Sequence, residues 1–247
     1  MRIVGIIPAR YASSRFPGKP LVDIAGKSMI QRVYEQVKAC PSLSEVIVAT
    51  DDSRIEAHVL AFGGKVAMTS AAHPSGTDRC AEVLESLADC DVLINIQGDE
   101  PFINPEQISL LCALFEDPNT QIGTLVKRIT AVAELFNENS PKVVFNAHKQ
   151  ALYFSRQTIP FQRGVAREEW LNHQAYYKHI GIYGYRTAVL QEITKLPASA
   201  FEKSESLEQL RWLENGYRIQ VAESEFETLA VDTPADLAHI KKVYFNA

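Results

Sequence analysis

Between Pro8 and Lys19 the chain gathers Arg10, Arg15 and Lys19 with a pair of serines and Gly18. A triphosphate asks for this combination. Several cations offset its charge, and small residues let backbone N–H groups approach its oxygens. An exposed basic loop would look similar, but here the cations are concentrated in one loop of an acidic chain. A second group of residues carries carboxylates. Gln97-Gly98-Asp99-Glu100-Pro101 and Val231-Asp232-Thr233-Pro234 offer hard oxygens. Such oxygens suit Mg²⁺, which takes one or two protein ligands and fills its shell with phosphate oxygens and water. Both stretches also have an ordinary reading as helix-start chemistry, strongest for the Asp-Thr-Pro of 232–234. Ser75-Gly76-Thr77-Asp78-Arg79 precedes a helical pattern, so its amides can hold an anion or read a base edge, or simply cap the helix. In 177–185, a period of two puts His179, Gly181, Tyr183 and Tyr185 on one face. That face is polar and aromatic, as a sugar site requires.

One apparent motif is excluded. Gly26-Lys27-Ser28 ends like a P-loop, but the glycine required five residues earlier is Leu21. No GxGxxG follows a strand either. The chain is therefore neither a P-loop nucleotide hydrolase nor a plain dinucleotide binder, and Gly26-Lys27 reads as a turn into the next helix.

The elements that must position these residues alternate. Branched apolar runs predict strands at 2–7, 45–50, 65–68 and 91–96; helical spacing predicts helices at 28–39, 52–62, 77–87 and 105–115. Alternation of this kind gives a mainly parallel sheet covered on both faces, with ligands bound outside the carboxyl ends of the strands. The loops after Ile7, Thr50, Met68 and Ile96 are then the place for chemistry. After about residue 120 the pattern changes. Longer strands are expected at 121–129 and 177–185, a hairpin within 142–155, loop over 156–175, a helix at 204–215, a strand at 217–221 and a closing helix at 233–243. The expected organisation is one domain over 1–247, with a core of about 1–120 and 217–247 and a smaller mixed-sheet lobe of about 121–216.

Composition bounds the partners. The chain has 247 residues, 46% of them apolar, and a net charge of −5, which speaks against the basic footprint of a nucleic-acid binder. Cys40, Cys80, Cys90 and Cys112 lack CxxC or zinc-ligand spacing and read as buried free thiols of a reducing compartment. The apolar start is broken by Gly5 and stopped by Pro8, too short for a secretory leader. No run approaches the roughly 20 apolar residues of a membrane span. A cytoplasmic protein without membrane insertion is expected.

Together these pieces resemble the CMP-Kdo synthetases, the 3-deoxy-manno-octulosonate cytidylyltransferases. The resemblance rests on IPARYASSRFPGKPL (7–21), ATDD (49–52), SGTDR (75–79), NIQGDEPFI (95–103), ALYFSR (151–156), HIGIYGYR (179–186), LEQLR (207–211) and VDTPADL (231–237). It implies an α/β nucleotidyltransferase fold, Rossmann-like, with a smaller sugar-binding and dimerisation lobe, and hence a homodimer. The implied activity is transfer of CMP from CTP to the anomeric hydroxyl of Kdo, with release of pyrophosphate, for lipopolysaccharide synthesis. A related acidic sugar such as 8-amino-Kdo is the alternative. By the same resemblance Ala9, Arg10, Ser13, Arg15, Lys19, Ser75, Gly76 and Arg79 are nucleotide contacts. Asp99 and Asp232 are Mg²⁺ ligands and, with Arg10 and Lys19, the catalytic set. Gln97, Arg156, His179, Tyr185, Glu208 and Gln209 belong to the sugar site. Segment 162–174 matches no motif of that family.

Overall fold

A computed structural model describes residues 1–12 and 16–245. Ser13 and Arg15, two of the expected nucleotide contacts, lie outside the described residues. The chain divides into two compact units, Met1–Cys112 with Glu227–Ala247, and Ala113–Phe226.

The first unit is built on β1 (Ile3–Ala9), in which every residue but Pro8 is buried. A strand enclosed on both faces reads as a continuous apolar run, as this one does. A short hairpin follows, β2 (Asp23–Ile24) and β3 (Lys27–Ser28), turned by Gly26 at φ +83°. The Gly-Lys-Ser that mimicked a P-loop is thus a hairpin turn, and Ser28 then accepts the Gln31 N–H at 3.2 Å to cap α1 (Met29–Lys38). Next come β4 (Glu45–Thr50), α2 (Ser53–Ala61), β5 (Val66–Met68), α3 (Gly76–Glu85), β6 (Val92–Asn95) and α4 (Pro105–Ala113). β1 pairs in parallel with both β4 and β6, and β4 with β5. The carboxyl ends of the strands therefore share one edge, as the alternation predicts. The C-terminal helix, Pro234–Phe245, belongs to this unit.

The second unit carries a mixed sheet. β7 (Ile122–Arg128) takes β10 (Tyr177–Arg186) antiparallel on one side and β11 (Ile219–Glu223) parallel on the other. β8 (Lys142–Phe145) and β9 (Ala151–Ser155) form the expected hairpin, turned at Lys149 with φ +58°. The pattern assigns β11 to the core of the chain; its five-residue pairing with β7 puts it in the second unit instead. The expected helix over 204–215 is two helices. Ala200–Glu205 starts from a capping box at Ser199 and Glu202 and stops at Ser206, whose φ of +52° cannot continue a helix; Gln209–Glu214 follows. Residues 187–193 are also helical, an element the strand-dominated pattern hides. Within 162–174, Trp170 packs with Ile129, Leu135 and Tyr176, so this stretch closes a small apolar cluster.

The four cysteines are free thiols. No helix among the described residues is long and apolar enough to cross a membrane.

In the first unit, three loops meet at Pro8. A Cβ built on Gly76 would sit 3.3 Å from the Pro8 ring, and one built on Gly98 would sit 2.7 Å from the Pro8 carbonyl oxygen. Only a residue without Cβ brings the loop after β6 this close to the end of β1. Gly98→Ala is therefore expected to lower the unfolding free energy by about 2 kcal/mol, the scale of overpacking a close contact. Urea unfolding followed by circular dichroism measures it, and an unchanged midpoint would show that the approach is not tight.

Candidate active site

The first unit brings together side chains from three distant segments. Lys19 opens a short turn (Lys19–Leu21) directly after Gly18, whose φ is +72°. Its ammonium lies 2.8 Å from Asp99 Oδ2 and 3.3 Å from Asp232 Oδ1. Asp99 sits in the loop after β6, and Asp232 just before the C-terminal helix. The backbone ties them as well, because the Val231 N–H donates to the Asp99 carbonyl at 2.9 Å.

The ordinary reading of Asp232 as a helix cap is answered by its neighbours. Asp236 Oδ2 accepts from the N–H of Asp232 at 3.1 Å, and from the N–H and hydroxyl of Thr233 at 2.8 Å each. The Asp236 N–H returns a bond to Thr233 Oγ1 at 3.3 Å. Thr233 and Asp236 thus cap the helix between them, and the Asp232 carboxylate is turned to Lys19. Burial opposes ionisation of Asp236, yet the bonds from Thr233 and Asp232 hold its carboxyl below the ordinary 3.8. Glu100, beside Asp99, behaves differently. Burial first, and then the Asp99 charge, push its carboxyl up to about 8. At neutral pH the Glu100 carboxyl is therefore largely protonated.

Around this pair the phosphate-type loops are braced. Ala9, the last residue of β1, is buried, and Arg10 follows it. The Arg10 guanidinium donates to the His73 carbonyl, and the His73 ring bonds the Glu82 carboxylate. Ser75 caps α3, accepting from the Asp78 N–H at 3.2 Å while its own hydroxyl donates to Asp78 Oδ2 at 2.6 Å. The cap reading of Ser75 therefore holds, and Gly76 is the first residue of the helix, its N–H among those at the helix start. Arg79 is wholly enclosed, at 0% exposure; it donates to Thr69 Oγ1 and lies 3.5 Å from Asp51. Burial depresses its pKa, partly offset by Asp51. Its Nε and Nη2 lack a hydrogen-bond partner among the described residues, an enclosure that its position in the SGTDR block does not reveal. Tyr11 is a residue the sequence reading passes over. Arg54 lies 3.3 Å from the centroid of its ring and pairs with Asp52, which fixes the start of the first loop. The ATDD block is thus a clamp for that loop. Gln97 is half-buried on the loop after β6.

The carboxylates fit a divalent cation in donor chemistry. They are hard oxygens from separate segments, already gathered around one positive charge, and a substrate phosphate would complete the shell. Among the described residues there is no closed cluster of three or more side-chain ligands.

The second unit carries a different kind of cluster. β10 has two extra residues between Ile180 and Tyr183 relative to β7. An even insertion preserves side-chain parity, so His179 and Tyr183 stay on one face, their ring centroids 5.2 Å apart. Tyr183 stacks on Tyr185 at 6.0 Å, and both meet Trp212 edge-on. Trp212 lies one turn from Gln209 on the following helix, and no local pattern marks it. The Thr124 hydroxyl donates to the Ile182 carbonyl at 2.7 Å, which spends its hydrogen. His179 Nε2, 2.9 Å away, must then be the donor to Thr124, leaving Nδ1 as an acceptor. Burial pushes the imidazole down to about 3, so it is neutral at physiological pH. Burial, and then the charge of Glu208, drive the Tyr183 phenol well above its ordinary range. The Tyr183 hydroxyl, Gln209 Nε2 and Trp212 Nε1 are buried without a partner among the described residues. Buried polar groups are rarely left unpaired, so a set of three asks for a polar occupant or water. Glu208 pairs with Arg211 at 2.9 Å beside this cluster. Arg156 is placed otherwise. Its guanidinium donates to the carbonyls of Glu205, Ser206 and Glu138 at 2.6, 3.3 and 3.2 Å, closing the end of the helix Ala200–Glu205.

Comparisons with known proteins fall on this geometry. The family model described as cytidylyltransferase matches residues 4–219. A 3-deoxy-manno-octulosonate cytidylyltransferase of Bacteroides thetaiotaomicron is 60% identical, over 100% of this chain and 99% of that protein. Its counterpart from Parabacteroides distasonis is 60% identical over 96% of each chain. A solved structure of a CMP:2-keto-3-deoxy-manno-octonic acid synthetase complexed with CTP superposes with a TM-score of 0.91 at 46% identity, over 98% of each chain.

Two outcomes follow from the electrostatics. Asp236→Ala removes a helix cap and should cost about 1 kcal/mol of stability at pH 7. Because the folded pKa is depressed, the difference from wild type should shrink as pH falls below the ordinary 3.8. Urea unfolding at both pH values tests this. His179 works on another window. Its folded pKa lies below the ordinary 6.5, so the unfolded chain binds the extra proton, and stability is complete above 6.5 and lost as pH falls toward 3. Between pH 6.5 and 5 the loss from this group is about 2 kcal/mol. His179→Gln should flatten that part of the profile, and an unchanged slope would mean that His179 is solvated.

Proposed function

The chain belongs to the cytidylyltransferase family, and from that premise we propose that it transfers CMP from CTP to the anomeric hydroxyl of 3-deoxy-D-manno-octulosonate, releasing pyrophosphate. The observation that carries this reading is the Lys19 ammonium held between Asp99 and Asp232 at the carboxyl edge of a parallel sheet. Full-length identity of 60% to proteins named for this sugar supports the choice of acceptor.

In this reading the anomeric oxygen attacks the α-phosphate in line with the departing pyrophosphate, and most of the catalysis is positioning and charge neutralisation. Arg10 and the amides at the start of α3 hold the triphosphate. Arg15 and Ser13, in the same loop, are assigned to it with Ala9, on the motif they share with the family. Lys19 moves from the carboxylates to the developing charge on the phosphates as substrate enters. Asp99 and Asp232 hold a divalent cation, Mg²⁺ in our reading, which when bound neutralises phosphate charge and lowers the pKa of the attacking hydroxyl.

The acceptor is assigned to the neutral donors of the second unit, Tyr183, Gln209 and Trp212, with His179 Nδ1 as an acceptor for a sugar hydroxyl. Neutral groups suit this task, because they hydrogen-bond hydroxyls without the desolvation cost of a buried charge. Tyr185 and Glu208 join the acceptor site in this reading, and Arg156 supports it by closing the helix end. We also propose a homodimer working in the cytoplasm, where CTP is made. The exposed Leu152, Phe161 and Phe201 of the second unit support an association surface.

Pyrophosphate release is the direct test. CTP, UTP, ATP and GTP are each offered with Kdo or 8-amino-Kdo in the presence of Mg²⁺. Release with CTP and Kdo is expected; release with the amino sugar alone would keep the reaction and change the substrate. Asp99→Ala and Asp232→Ala should each lower kcat by at least about 10²-fold, the scale of removing a strong electrostatic stabiliser. Near-normal turnover in either variant would remove that carboxylate from the site.

A further inference from the structure

Asp99 and Asp232 come from segments far apart in sequence, so their separation is set by how the C-terminal helix lies against the loop after β6. That helix is thinly anchored. Ile240 is its buried residue, at 1% exposure. At its start, the Val231 N–H holds the Asp99 carbonyl. At its far end, the Tyr244 ring stacks on Phe102 with centroids 3.9 Å apart and planes 11° apart, and Phe245 meets the same ring at 5.8 Å. Phe102 is three residues from Asp99 on the same loop. Beneath these rings lies Arg32 of α1, its guanidinium 5.6 Å from the Phe102 centroid and 4.8 Å from that of Phe245. Arg32 cannot drift, because it donates to the carbonyls of Ile24 and Ala25 in the β2–β3 hairpin at 2.7 and 2.9 Å.

The loop and the helix are therefore joined at both ends, at one by a backbone hydrogen bond beside the carboxylates and at the other by an aromatic clasp. Tyr244 and Phe245 remain 41% and 37% exposed, so their burial adds modestly to the core. A flat ring stack does something else: it fixes direction. Without it, the helix is free to pivot about Val231 and Ile240, and the two carboxylates lose their fixed spacing.

We propose that Phe102, Tyr244 and Phe245, seated on Arg32, are positioning residues that set the spacing of Asp99 and Asp232 for a divalent cation. This rests on the reading of that pair as the cation site. Groups that orient ligands without touching the ion typically change metal affinity by 10–100-fold, and the clasp belongs to this class.

The test is Mn²⁺ binding to the full chain with CTP present and without turnover, followed by the enhancement of water-proton relaxation, which separates protein-bound Mn²⁺ from the Mn²⁺–CTP complex in solution. Tyr244→Ala is expected to weaken Mn²⁺ binding by about tenfold. Tyr244→Phe, which keeps the ring, is expected to bind as wild type does. Should Tyr244→Ala not fold, Phe245→Ala and Tyr244→Leu, which leave a partial clasp, are expected to weaken binding in the same direction. Wild-type affinity in folded Tyr244→Ala, or in the milder pair where that variant does not fold, would overturn the proposal. So would a Tyr244→Phe variant as weak as the alanine. A wild-type chain whose Mn²⁺ binding is unaffected by Asp232→Ala would instead overturn the reading of the carboxylate pair, and the proposal with it.

Discussion

Three segments that are remote in sequence meet at one ammonium group. Lys19 sits between Asp99 and Asp232, and the arrangement is stable because each carboxylate approaches the same cation. Two anions brought this close without a cation would repel, and the cost would be borne by the loops that carry them. The surrounding structure follows from that need. The loop after β1 must deliver Lys19, the loop after β6 must deliver Asp99, and the chain must return to the first unit to deliver Asp232.

Close packing holds the delivery in place. At Pro8, glycines at 76 and 98 let two further loops approach to contact distance, which side chains would forbid. Tyr11 is clamped by Arg54, Thr69 by Arg79, and His73 by Arg10 and Glu82. Several of the charged side chains in the motif blocks brace neighbouring loops. Arg79 is the most enclosed of them, a guanidinium with no exposed surface that reaches Thr69 and Asp51.

The two units use opposite electrostatics. The first gathers full charges in partly wet surroundings. In the second the aromatic cluster itself stays uncharged, with His179 deprotonated and Tyr183 protonated by burial.

Much of this was legible in the chain itself. Branched runs separated by helical spacing gave the parallel core, because a strand buried on both faces has to be continuously apolar and a covering helix has to be amphipathic. The glycine and cations of 8–19 and the carboxylates at 99 and 232 were visible as residue types at predicted strand ends and helix starts. What local patterns could not decide were matters of distance. Ser204 to Asn215 has helical composition throughout, yet the chain breaks at Ser206, where Arg156 from a distant strand end takes up the free carbonyls. Whether Asp232 capped a helix depended on Asp236 taking that task. That Arg79 and Arg156 would serve as braces, and that Trp212 would complete an aromatic wall, depended on neighbours far along the chain. Sequence fixes which groups are present and the local geometry of each turn; burial, and hence which groups keep their charge or lack a partner, is a property of the packed whole.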